Sequence, residues 1–126
     1  MLIRDVIKIA GQYGWSVSIC KTKYGYSFDF KRRLLNGLPF CFTAEMEGNR
    51  PDTLVDEILS FVAEFDPEQC AGIWLEASGQ LTPTRFFKAV AELDEIRSKA
   101  FLLAFDISEL AEKEILPFDP PWYIWN

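Results

Sequence analysis

Histidine is absent from all 126 residues. That absence excludes imidazole general acid–base catalysis, Ser-His and Cys-His nucleophile pairs, and imidazole metal sites. Cysteine is scarce. Cys20, Cys41 and Cys70 are odd in number and form no CxxC pair, which points to a reduced, cytoplasmic setting. Long apolar runs are also missing. The longest, AFLLAF from Ala100 to Phe105, falls far short of the roughly 18 residues that span a bilayer. Charges at Arg4, Asp5 and Lys8 interrupt the first apolar stretch and break the pattern of a signal peptide. Membrane partners are therefore not expected. A Gly-rich phosphate loop, a Ser-Lys motif and a metal-spaced cluster are absent too, so no cofactor and no metal site is assigned.

What remains is bulky, and its charge is unevenly distributed. Aromatics make up 15% of the chain, and eleven of them are Phe. Residues 1–35 carry seven Lys/Arg against two Asp/Glu, a net +5; residues 36–126 carry six against seventeen, a net −11. The acidic balance disfavours general nucleic-acid binding, which needs basic surface, and leaves only a local patch at Lys31-Arg32-Arg33.

The length suggests one domain over residues 1–116, followed by a tail, 117–126. Leu2, Val6, Ile9 and Tyr13 recur at spacings of three and four, predicting a helix over 2–13. Three strands with period-two alternation follow: Trp15-Val17-Ile19, Tyr26-Phe28-Phe30 and Phe40-Phe42-Ala44-Met46. Such alternation reads as an antiparallel sheet with one buried face. A three-residue loop, Leu35-Asn36-Gly37 with Gly37 left-handed, keeps that face intact by pairing Phe30 with Phe42 and Phe28 with Ala44. The first hairpin needs an even loop, and Lys21 to Tyr24 would pair Val17 with Phe28.

Pro51 opens a second helix whose stripe runs through Leu54, Ile58, Val62 and Phe65 to Asp66-Pro67. Gly72 to Glu76 (GIWLE) reads as a short fourth strand. Thr82-Pro83 starts a long helix with Leu93, Ile96, Ala100 and Leu103 inward. It runs to about residue 114 or breaks near Asp106. The resulting class is α+β: helix, three-stranded meander, helix, short strand, long helix and a docked aromatic tail, with the helices on one face.

The segment Phe42 to Gly79 carries Leu54, Glu57, Ile58, Phe61, Phe65, Asp66 and Glu68 in the form LxxEIxxFxxxFDxE, then Trp74-Leu75. It resembles a group of small bacterial proteins from gut-bacterial, phage and mobile-element genomes. The likeness covers residues 12–105 loosely and departs at Ser78 to Pro83. It implies the element order and a cytoplasmic bacterial setting, and brings no activity with it.

Candidate chemistry is thin. Ser16, Ser18, Asp29, Lys31, Cys41 and Thr43 share the polar sheet face, with Asp29 expected between Ser16 and Thr43. An Asp among hydroxyls can act as a base, although antiparallel sheets commonly keep one solvated face. Glu45, Glu47, Asp52, Asp56 and Glu57 are oxygen ligands of the kind a hard cation takes, yet their spacing matches no known loop. The tail, PFDPPWYIWN, offers Trp122, Tyr123 and Trp125 as partner-binding residues. It is expected to dock on its own domain or on another copy, since such a run is an unusual exposed patch. These features predict a non-enzymatic accessory or binding protein acting through protein–protein contacts, with an unknown protein or itself. An acidic inhibitor (a DNA mimic or toxin-immunity protein) is one alternative. An enzyme working through Asp29 is the other.

Overall fold

The computed structural model describes residues 3–114. Its elements run α1 (Ile3–Gln12), β1 (Ser16–Lys21), β2 (Gly25–Arg33), β3 (Pro39–Glu47), α2 (Pro51–Glu64), α3 (Pro67–Ala77) and α4 (Pro83–Glu114). The three strands form one antiparallel sheet in the order β1-β2-β3. Every second residue of β3, from Phe40 to Met46, is buried, and Phe28 and Phe30 of β2 join them. Helices α1 and α2 cover this face from β1 and β3, and α4 packs on α1, α2 and α3. The fold is thus the expected α+β layer, and no described helix covers the opposite sheet face.

Phe30 pairs with Phe42 and Phe28 with Ala44, as the burial pattern requires. The β2–β3 loop has three residues, closed by Leu34 N donating to Leu38 O at 2.8 Å. Gly37 within it has φ 86°, a conformation that glycine adopts without steric cost. The surplus of Phe forms one ring network. Phe42 stacks on Phe61 of α2 at 4.1 Å between centroids, and on Phe30 at 5.0 Å. Trp15 meets Phe42 edge-on at 5.2 Å. Offset and edge-to-face contacts of this kind add to the gain from area burial.

Two expectations need correction. First, the β1–β2 turn is tighter than expected, with Thr22 N donating to Gly25 O at 2.8 Å. Val17 therefore faces Phe30, and Ile19 faces Phe28. Burial patterning fixes only the parity of a register, and a two-residue shift keeps every side chain on its face. Val17 and Ile19 are half-buried rather than buried, because α1 covers β1 less extensively than α2 covers β3. Second, Gly72 to Glu76 is not a strand but lies inside α3. Pro67 at the first position and Asp66 as N-cap start the helix. The Asp66 carboxylate accepts from Glu68 N at 3.0 Å and Gln69 N at 3.2 Å. Ala71 and Leu75, one turn apart, are its buried contacts. Of the two courses expected for the long helix, α4 takes the first: it runs 32 residues, to Glu114, without a break at Asp106. The tail expected to dock, including Trp122, Tyr123 and Trp125, lies outside the described residues.

Asp66→Ala should cost about 1 kcal/mol, the typical loss for an N-cap. A chemical-denaturation midpoint equal to wild type would show that Pro67 alone holds the helix start.

Candidate functional site

Antiparallel alternation places Ser16, Ser18, Asp29, Lys31, Cys41 and Thr43 on that sheet face, so the structure brings the predicted polar residues together. The neighbours of Asp29 are Ser18 and Thr43, not Ser16 and Thr43, because of the two-residue shift in β1. Thr43 Oγ1 donates to Asp29 Oδ1 at 2.7 Å. Lys31 Nζ donates to Ser18 Oγ at 2.9 Å, and Ser16 Oγ donates to Lys31 O at 3.3 Å. Burial and the nearby Asp29 carboxylate push the Cys41 thiol up, while Lys31 partly offsets them. The thiolate is the reactive form, so Cys41 is a poor nucleophile at neutral pH.

Ser16, Lys31 and Cys41 border a hollow at one end of this face, but neither Asp29 nor Thr43 lines it or the other hollows that follow. An acidic hollow of about 530 Å³ opens between the end of β3 and the start of α2. Glu45, Glu47, Asp56 and Glu57 line it. These are four of the carboxylates weighed as cation ligands, yet no group of three or more among the described residues is placed to hold a metal ion. At the other end of the sheet, Lys31, Arg32 and Arg33 surround Trp15 and Phe40 in a hollow of about 630 Å³. The Arg32 guanidinium lies over the Trp15 ring at 5.0 Å and donates to Tyr13 O at 3.2 Å. A smaller cavity of about 170 Å³ sits between the β2–β3 hairpin, α3 and α4. Glu92 at its rim accepts from Leu35 N at 2.7 Å.

The outer side of α4 holds a further feature that strand and helix periodicity did not single out. Phe101, Leu102 and Phe105 are 48%, 43% and 52% exposed. Phe101 and Leu102, with Val62 and Ala63 of α2, line a groove of about 550 Å³. The signal was present in AFLLAF. A run that is apolar all round puts side chains on both sides of a helix, and only one side can face the sheet.

Tyr13 ties α1 to α4 by donating its hydroxyl to the Asp106 carboxylate. That bond, with burial and the carboxylate charge, raises the Tyr13 phenol above its ordinary range. A raised phenol contributes stability that is fully present below the unfolded value, about 10, and lost as pH rises through the folded value. Tyr13→Phe should therefore flatten the fall in melting temperature above about pH 10. An alkaline limb identical to wild type would mean the bond carries none of it.

The fold and these surfaces define a small α+β protein with a polar sheet face, two oppositely charged hollows and an apolar groove between helices. No family model, no curated protein and no solved structure matches the chain. Among the described residues, no helix is long and apolar enough to cross a membrane.

Proposed function

We propose that this protein is a non-enzymatic binding module acting through protein–protein contacts, with the α2–α4 groove as its docking face. The observation that carries this reading is the exposed pair Phe101 and Leu102 beside Val62, with exposed Phe105 one helical turn beyond Phe101. Apolar surface gathered on one face, with polar neighbours such as Arg97 and Ser98, is typical of interaction sites. The arrangement of the polar sheet face supports binding over catalysis. Asp29 has an acceptor role toward Thr43 and stands outside the hollows in which a substrate would be desolvated. A cytoplasmic bacterial setting belongs to the same proposal. Exposed free thiols at Cys20 and Cys41 suit a reducing compartment. Nucleic acid is the weaker partner class, because the basic surface is confined to one corner.

The test is a pull-down from a lysate of the source cells with wild type and with the double variant Phe101→Asp, Phe105→Asp. Capture of a defined partner by wild type, and its loss in a variant that melts normally, is the expected result. Recovery of the bait alone, as a monomer, counts against the reading. A second reading, an acidic inhibitor, is favoured by the four carboxylates gathered in one hollow. A partner lost on Glu45→Lys and Glu57→Lys, but kept by the Phe variant, would select it.

A further inference from the structure

Two hollows of opposite charge lie at opposite ends of the sheet. Among the described residues, no carboxylate lines the basic one. Among those residues its cations bond to neutral acceptors: Lys31 to Ser18 Oγ, Arg32 to Tyr13 O and Arg33 to Gly37 O. In a chain with six more acids than bases, three adjacent cations without such a partner in their hollow are an unspent charge. Two N–H groups beside them are unspent as well. Trp15 Nε1 and Arg32 Nε are buried and have no hydrogen-bond acceptor among the described residues. Unpaired buried donors are rare in folded proteins and mark places where an acceptor is missing.

The acidic hollow is of similar size, and no cation lines it. Arg50 and Lys23 stand nearby but are engaged, Arg50 with Asp52 at 2.9 Å and Lys23 over the Tyr24 ring at 5.4 Å. The two hollows cannot neutralise each other within one molecule. Lys31 and Arg33 pair with Cys41 and Pro39, and Glu45 and Glu47 lie several residues further along β3. At about 3.3 Å per residue the separations run from roughly 13 Å (Lys31 to Glu45) to roughly 26 Å (Arg33 to Glu47), all beyond the Debye length of about 8 Å at physiological salt.

We propose that the protein associates head to tail, the acidic hollow of one copy receiving the basic corner of the next. This goes beyond the apolar groove and uses different residues. Glu45, Glu47, Asp56 and Glu57 supply the carboxylates; Lys31, Arg32 and Arg33 supply the donors. Arg32 is held over the Trp15 ring and by Tyr13 O, so little of it is left to order when a carboxylate arrives. Unlike a two-fold dimer, such a contact joins two different patches. It therefore propagates into a ring or an open chain of copies.

Sedimentation velocity of the full chain tests this. At low salt the sedimentation coefficient should rise with protein concentration. It should return to the monomer value in about 1 M salt, where the Debye length is about 3 Å. The double variant Lys31→Glu, Arg33→Glu has two acidic ends, and Glu45→Lys, Glu57→Lys has two basic ends. Each alone should be monomeric, and an equimolar mixture should associate again. Should either pair fail to melt like wild type, Lys31→Gln and Glu57→Gln serve in its place, and each should weaken association. Phe101→Asp with Phe105→Asp should leave association unchanged, which separates this contact from the apolar groove. A wild-type monomer at every concentration and salt overturns the proposal. So does association that survives high salt or ignores the charge swaps. Saturable binding of inorganic phosphate at the corner of a protein that stays monomeric overturns it equally.

Discussion

Replacing Phe28 by alanine is expected to destabilise the fold by about 3–5 kcal/mol, the usual range for a buried Phe. Phe28 sits on the central strand and is fully buried. It stacks beside Phe30 at 6.1 Å between centroids, with the rings 10° apart. Its cross-strand neighbours are Ile19 and Ala44. Ala44 is itself buried and too small to fill a void, and strands held by ladder hydrogen bonds on both sides cannot close in. The cavity therefore persists, and its cost adds to the lost transfer energy of the ring. Chemical denaturation measures the change. An unaltered midpoint would show that the ring does not occupy this site.

Gly25→Ala is expected to cost about 3 kcal/mol, at the top of the usual range for overpacking. Gly25 opens β2 where it pairs with Glu47. An ideal Cβ there would lie 2.0 Å from Met46 O and 2.5 Å from Gly48 N. Both are backbone atoms, so no rotamer change can relieve the clash. The end of the β2–β3 ladder must open, and it would carry the buried Met46 side chain with it. Gly11→Ala is the control. A Cβ at Gly11 meets nothing within 4 Å, and alanine in a helix should gain about 0.5–1 kcal/mol over glycine. Equal melting temperatures for wild type and Gly25→Ala would mean the ladder end contributes no stability.

Much of this fold is legible in the residues alone, for a reason that can be stated. Alternation along Phe40 to Met46 and along Tyr26 to Phe30 specifies which face is buried. A one-residue slip would turn all of those side chains over, so the β2–β3 register follows from composition and loop length. Pro51, Thr82-Pro83 and the three/four spacings mark the starts and inner faces of α2 and α4. These are local signals, and local physics reads them.

Tertiary contacts decided the rest. The β1–β2 register rested on parity, which admits two-residue shifts, and the tight Thr22–Gly25 closure selected one of them. GIWLE takes its conformation from the helix start upstream of it, joined to burial of one helix face. Ile73 and Trp74 favour a strand by propensity, but Asp66 and Pro67 start a helix whose Ala71 and Leu75 reach the core. The polar residues of the sheet face were named correctly, because alternation alone places them. The hollows were not visible, since each gathers residues from separate segments: Arg32 with Trp15, and Glu45 with Asp56. The sequence by itself determined which side chains turn inward, because that depends on near neighbours along the chain. Which charges and rings meet at the surface was decided only when the sheet and helices packed, because that depends on residues distant in sequence.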